Sequence, residues 1–165
     1  MPVSRSWREL VYKEPWLLPF LHAIARMGVR AKAGDLASAL GVKSKVAKAA
    51  MRLLKKHFLT GEGSLRSDVV EWLAEQDIRV RGRRMAWRTG SCYTLIKVKR
   101  SRVSAYTVPA NLVNEVEEEL ERRGAAGVRE LARDLGSSPI LISRALQVLE
   151  LLGKASRSDG EYHHT

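Results

Sequence analysis

A single cysteine, Cys92, stands among the 165 residues. No intramolecular disulfide can form, and the chain alone cannot build a thiolate metal site. Asparagine and glutamine are nearly missing (Asn111, Asn114, Gln76 and Gln147), while Arg, Glu, Ala and Leu abound. That balance is thermophile-like. No run approaches the ~20 apolar residues of a membrane span, so no membrane partner is expected. The opening MPVSRSWREL carries charge with no apolar stretch behind it, unlike a secretory leader. The default expectation is therefore a cytoplasmic protein. No low-complexity segment interrupts the chain.

What is abundant is positive charge, and it is unevenly placed. The chain carries a formal net charge of +11 and a pI of about 10.2, which favours polyanionic partners. From Met1 to Pro109 there are 22 Lys and Arg against 8 Asp and Glu, a net of +14. From Ala110 to Thr165 there are 7 against 10, a net of −3. A thermophilic surface would add both signs together, so the asymmetry points to a division of labour between the halves. Hydrophobic residues, at 45%, suffice for packed cores, and the length fits one domain or two small ones.

Periodicity and punctuation predict the elements. A helix is expected over Pro15–Met27, with Pro19 bending it, and a short one over Ala33–Leu40, closed by Gly41. Ser44 is the expected N-cap of a third helix to about Phe58, and Ser67-Asp68 opens a fourth to about Gln76. Strands are expected at Ile78–Arg81, Arg83–Arg88, Tyr93–Val98 and Val103–Val108, the last two joined by the basic tip Lys99-Arg100-Ser101-Arg102. Pro109 is the expected boundary, dividing a basic domain, 1–109, from a smaller acidic one, 110–165. Helices follow at Asn111–Arg123, Val128–Leu135 and, capped by Ser138 with Pro139 first, to Leu152. Gly124–Gly127 reads as a turn, and Lys154–Thr165 as a short hairpin or a frayed tail.

The chain also repeats itself. Shifted by 95 residues, Leu36-Ala37-x-x-Leu40-Gly41 falls on Leu131-Ala132-x-x-Leu135-Gly136. Val46, Ala50, Met51, Leu53 and Leu54 then fall on Leu141, Ala145, Leu146, Val148 and Leu149. Leucines at i and i+4 share a helix face, alanine permits close helix approach, and glycine permits the sharp turn. This is the pattern of a helix-turn-helix unit. It resembles the winged-helix regulators of transcription, the broad MarR-like and ArsR-like class, over roughly Pro15–Val108 and again over Asn111–Thr165. The resemblance implies a mainly α fold with small antiparallel β wings (α+β), built from two winged-helix-type domains. It also implies a duplex DNA-binding function in transcription regulation, with a recognition helix in the major groove. A helical hairpin without any nucleic-acid role is the bland alternative for either copy.

The candidate DNA-binding residues follow from charge and spacing. On the helix after Gly41, the expected core face is Val46, Ala49 or Ala50, Leu53 and Leu54. That leaves Lys45, Lys48, Arg52, Lys55 and Lys56 outward, with Lys43 and Ser44 at the helix start. With no interleaved acid, the stripe suggests an anion supplied from outside, against the alternative of a solvated lysine face. The hairpin adds Lys97, Lys99, Arg100 and Arg102, and the preceding strands add Arg79, Arg81, Arg83, Arg84 and Arg88. Trp87, Tyr93 and Tyr106 either stack on unpaired bases or fill the sheet, while Trp7, Trp16 and Trp72 read as core. The second copy presents Ile140, Ser143, Arg144, Gln147 and Glu150, after a helix rich in glutamates (Glu115, Glu117, Glu118, Glu119 and Glu121). It is expected to serve a homodimer or a protein partner through 110–165 first, and to make a secondary DNA contact second.

No catalytic constellation is expected. Gly61-Glu62-Gly63 lacks the lysine and helix of a phosphate loop, and His22, His57, His163 and His164 are scattered. Cys92 reads as an incidental thiol despite its basic neighbours. Neither a metal nor a cofactor is implied. Two other functions stay open: an RNA-binding or ribosome-associated factor using the same basic surface, and a protein adaptor in a replication or transcription complex.

Overall fold

The structure, a computed structural model, describes residues 3–28 and 30–165, with side chains from Trp7 onward in the first helix. Met1 and Pro2, where the expected first domain begins, lie outside the described residues. The fold is mixed α+β, with more helix than strand. In chain order come α1 (Val3–Lys13), a 3-10 turn (Pro15–Leu17), α2 (Leu18–Met27), α3 (Ala33–Leu40), α4 (Ser44–His57) and α5 (Ser67–Glu75). Four strands follow, β1 (Ile78–Arg81), β2 (Arg84–Thr89), β3 (Cys92–Val98) and β4 (Val103–Pro109), hydrogen-bonded in that order as an antiparallel sheet. The chain ends with α6 (Ala110–Arg123), β5 (Ala125–Ala126), α7 (Val128–Leu135), α8 (Pro139–Leu151), β6 (Ala155–Ser158) and β7 (Glu161–His164).

The residues gather into two compact units, Met1–Gln76 with Ile96–Ala105, and Asp77–Leu95 with Tyr106–Thr165. The expected boundary at Pro109 therefore differs from the observed grouping. Strand propensity at Ile78–Arg88 says that a strand forms, whereas the unit it joins is set by which core its side chains enter.

The N-terminal unit is organised around aromatics. Trp7 is fully buried, 5.6 Å from the Trp72 ring and 6.0 Å from Phe58, and its indole N–H donates to Asp68 Oδ2 at 3.2 Å. Leu17, Leu18, Phe20, Leu21 and Leu36 are buried with no exposed surface. The helix α1 had no expectation in the sequence. Expected to bend a helix, Pro19 instead sits in the first turn of α2, where a proline's missing N–H costs no intrahelical bond. The residues before it close into the 3-10 turn.

The C-terminal unit packs α6, α7 and α8 around Val113, Val116, Leu120, Leu131, Ile142 and Leu146. A three-stranded sheet of order β5-β7-β6 closes it, with Ala126 opposite Tyr162 and Ser156 opposite His163. The turn expected at Gly124–Gly127 thus contains a strand, too short to show any alternation. The C-terminal segment is the hairpin, and Asp159 (φ 53°) with Gly160 (φ 78°) makes the two-residue left-handed turn that suits strand twist.

The internal repeat is carried into backbone geometry. Gly41 adopts φ 69°, ψ 33° and Gly136 φ 66°, ψ 32°. The next residue donates to the alanine five back in each copy: Val42 N–H to Ala37 O and Ser137 N–H to Ala132 O, both at 3.1 Å. At the start of each first helix a carboxylate accepts a backbone N–H, Asp35 from Lys32 at 2.9 Å and Glu130 from Gly127 at 3.2 Å. Each second helix follows an extended residue, Lys43 (φ −64°, ψ 149°) or Ser138 (φ −68°, ψ 147°). The Ser138 hydroxyl caps its helix by accepting from Leu141 N–H at 3.2 Å. In the first copy Lys43 takes the cap position without a side-chain bond, so Ser44, expected as the cap, is the first helical residue.

Candidate nucleic-acid interface

The face that α4 buries differs from expectation. Ala47, Ala50, Met51 and Leu54 are buried, Val46 and Leu53 are half-buried, and Ala49 is exposed. The core stripe is therefore rotated along the helix relative to a reading that favoured the bulkier valine and leucine. Two alanines, Ala47 and Ala50, enter the core with no exposed surface, which lets the backbone of α4 approach its neighbours closely.

The rotation leaves the cations outward. Lys43, Lys45, Lys48, Arg52, Lys55 and Lys56 are all exposed, as is Ser44. Among the described residues no carboxylate forms an ion pair with any of these six. Lys45–Lys48, Lys48–Arg52, Arg52–Lys55 and Arg52–Lys56 are like-charged pairs at i,i+3 or i,i+4. Together they cost α4 about 1–2 kcal/mol. The helix ends at His57, whose pKa is held below its ordinary value by burial and by the neighbouring Lys56, so it adds no charge at neutral pH.

The hairpin tip lies against the start of this helix. Lys43 N–H donates to Arg100 O at 2.8 Å, and the tip is closed by Lys99 N–H to Arg102 O at 2.9 Å. Lys99, Arg100 and Arg102 are exposed and, like the α4 cations, free of ion pairs among the described residues, whereas Lys97 is half-buried. Nine exposed cations thus fall on one helix and the hairpin tip bonded to it.

Between them is a cleft of about 460 Å³. Val46, Ala49 and Val103 supply its apolar lining, and Lys43, Lys45, Ser101 and Arg102 its polar groups. Trp16, read from the sequence as core, lines it as a half-buried side chain. Its indole N–H donates to Glu14 Oε2 at 2.9 Å, and Phe20 meets it edge-on at 6.0 Å. Sequence reasoning missed this role because Trp16 has the helical spacing of a core residue. Its place right after Glu14-Pro15, where the chain turns, was the only signal available.

The remaining candidates belong to the other unit. Arg84 pairs with Glu150 at 3.5 Å. Arg88 donates to Gly90 O at 2.8 Å and lies 5.0 Å over the Tyr93 ring. Arg81 and Arg83 are exposed strand and turn residues. The sheet aromatics do not offer free stacking faces: Trp87 is 1% exposed, Tyr93 is half-buried under Arg88, and Arg144 lies 3.8 Å over Tyr106.

The second copy of the repeat contrasts with the first. Of its expected outer face, only Ile140 is well exposed, at 65%, while Ser143, Arg144, Gln147 and Glu150 are half-buried. The helix α8 packs on β1 and β2, which use Glu150 through Arg84. Several charges of this unit are also paired internally. Glu119 binds Arg122 and Arg123, Asp134 binds Arg123 and Arg133, and Glu117 binds Lys154 at 3.4 Å. Those arginines hold the Glu119 and Asp134 carboxyls below the usual range, chiefly through hydrogen bonds from Arg122 and Arg123 respectively. Among the described residues no histidine, cysteine and carboxylate group is arranged to hold a metal ion, and no helix is long and apolar enough to cross a membrane.

Comparison of the chain with protein-family models, with curated proteins and with solved structures finds no match.

Proposed function

We propose that this protein binds duplex DNA through its N-terminal unit and acts in transcription regulation as a winged-helix protein. In this reading α4 enters the major groove and the Lys99–Arg102 tip grips the adjacent backbone as the wing. One observation carries it: nine exposed cations on α4 and the hairpin tip lack any ion-paired carboxylate among the described residues, while in the other unit Arg84, Arg122, Arg123, Arg133 and Lys154 are each paired with a carboxylate. A helix that tolerates about 1–2 kcal/mol of self-repulsion is relieved by a polyanion. The matched turn geometry at Gly41 and Gly136 supports the helix-turn-helix assignment. The covered state of Trp87, Tyr93 and Tyr106 favours a duplex over RNA strands gripped by the sheet.

The test is fluorescence anisotropy of the full chain with random duplex DNA and with structured RNA, each across a salt series. The reading expects tight duplex binding, a log–log salt slope of several units, and weaker RNA binding. Feeble duplex binding, or a preference for RNA, would overturn it.

A further inference from the structure

The cleft beside α4 has a chemistry that groove binding does not use. A duplex held against Lys48, Arg52 and Lys55 needs cations, and the cleft adds an aromatic side chain, a small apolar lining and a hydroxyl. Trp7, Trp72 and Trp87 are buried at 6% exposure or less, whereas Trp16 is left half-exposed in the cleft. Its one polar atom is already satisfied by Glu14, and Phe20 packs edge-on against it. What the indole retains for a ligand is therefore its π face. Val46, Ala49 and Val103 leave space for a flat group beside it, and about 460 Å³ is the size of a small-molecule site. Lys43, Lys45 and Arg102 supply three cations within the same lining. A planar ring joined to an anionic group matches this set, and Lys45 makes the cleft continuous with the basic face of α4.

We propose that the cleft holds one unpaired nucleotide, its base stacked on Trp16 and its phosphate met by Lys43, Lys45 and Arg102. Ser101 is the hydrogen-bonding group placed to contact the base or sugar edge. Two sources present the same chemistry, a free mononucleotide and the unpaired terminal residue of a nucleic-acid strand. The inference rests on the duplex-binding reading for the second source only.

The experiment uses the full chain with labelled duplexes of one sequence, blunt or carrying a short single-stranded overhang, followed by anisotropy at fixed salt. In parallel, AMP is titrated against the protein while tryptophan emission is recorded. A stacked base adds about tenfold in affinity, so the overhang duplex should bind about tenfold tighter than the blunt one. In Trp16→Ala that ratio should fall to about one, and in Trp16→Phe it should be partly kept. Should Trp16→Ala fail to fold, Ala49→Gln, at an exposed position that intrudes on the cleft, should give the same loss of ratio. Quenching by AMP that disappears in Trp16→Phe identifies the free nucleotide as a second source. An AMP response without blunt-duplex binding would sink the duplex reading and leave the cleft assignment standing. The assignment is overturned if the ratio is about one in the unaltered protein and AMP produces no quenching. It is equally overturned if the ratio survives both Trp16→Ala and Ala49→Gln, or if 1-anilinonaphthalene-8-sulfonate fills the cleft and neither AMP nor the overhang displaces it.

Discussion

Replacing Lys48, Arg52 and Lys55 together by glutamine separates an electrostatic DNA face from a merely solvated one. The three side chains are exposed, unpaired among the described residues, and outside the cleft lining. Glutamine is nearly as good a helix former as lysine or arginine, so α4 itself is preserved. Removing them also deletes the four like-charged pairs of the face, so unfolding stability should rise by about 1 kcal/mol. Binding should move the opposite way. With all nine exposed cations at phosphates the log–log salt slope would be about −8, and without these three about −5. Between 50 and 200 mM salt the affinity loss would shrink from about 10⁵-fold to about 10³-fold. Anisotropy titrations of one duplex at several salt concentrations measure this directly. Arg84→Gln and Arg88→Gln are the matched controls, because Glu150 and the Gly90 carbonyl already engage those arginines. An unchanged slope in the triple variant, or an equal change in the controls, would refute the assignment.

Four further outcomes are expected. Gly136→Ala places a Cβ in open space at φ +66°, so its cost is conformational, about 1–2 kcal/mol, read as a lower urea midpoint at constant slope. Leu131→Ala empties a fully buried site and should cost about 3 kcal/mol in the same assay, as should its repeat counterpart Leu36→Ala. Arg144→Gln removes the cation from the Tyr106 ring, lowering stability by about 1 kcal/mol while leaving duplex affinity and its salt slope unchanged. A substantial affinity loss there would return α8 to the DNA face. Burial, aided by Arg26, holds the His22 pKa below 6.5, so the unfolded chain takes up that proton first. Its stabilising effect is complete above pH 6.5 and is lost as pH falls through that value toward the folded one. His22→Gln should therefore flatten the dependence of Tm on pH in that acid limb, and an unaltered limb would show that His22 titrates alike in both states.

Much of the architecture could be read without coordinates. Ala33–Leu40, Ile78–Arg81 and Val128–Leu135 fall at the expected residues, because glycine stops and apolar periodicity are local signals. The helix at Val3–Lys13 and the strand at Ala125–Ala126 escaped notice. The latter exists only because β7 pairs with it. The basic stripe of α4 was legible because like charges at i,i+3 and i,i+4 share a face whatever lies behind them. The cleft was not, since Trp16 and Ser101 are 85 residues apart in the chain and only the tertiary fold gathers them.

The sequence alone determined three features: the asymmetry of charge, the repeated pattern of two helices joined at a glycine, and the places where glycine must turn the chain. All three depend on residue type and short spacing. Which copy keeps an open outer helix face was decided only by tertiary structure. The helix α8 is covered by β1 and β2, and its Arg144 and Glu150 are taken by Tyr106 and Arg84. In the other copy α4 buries two alanines and leaves its cations unpaired among the described residues. The physical reason is that burial depends on what packs against a helix, and those neighbours come from distant parts of the chain.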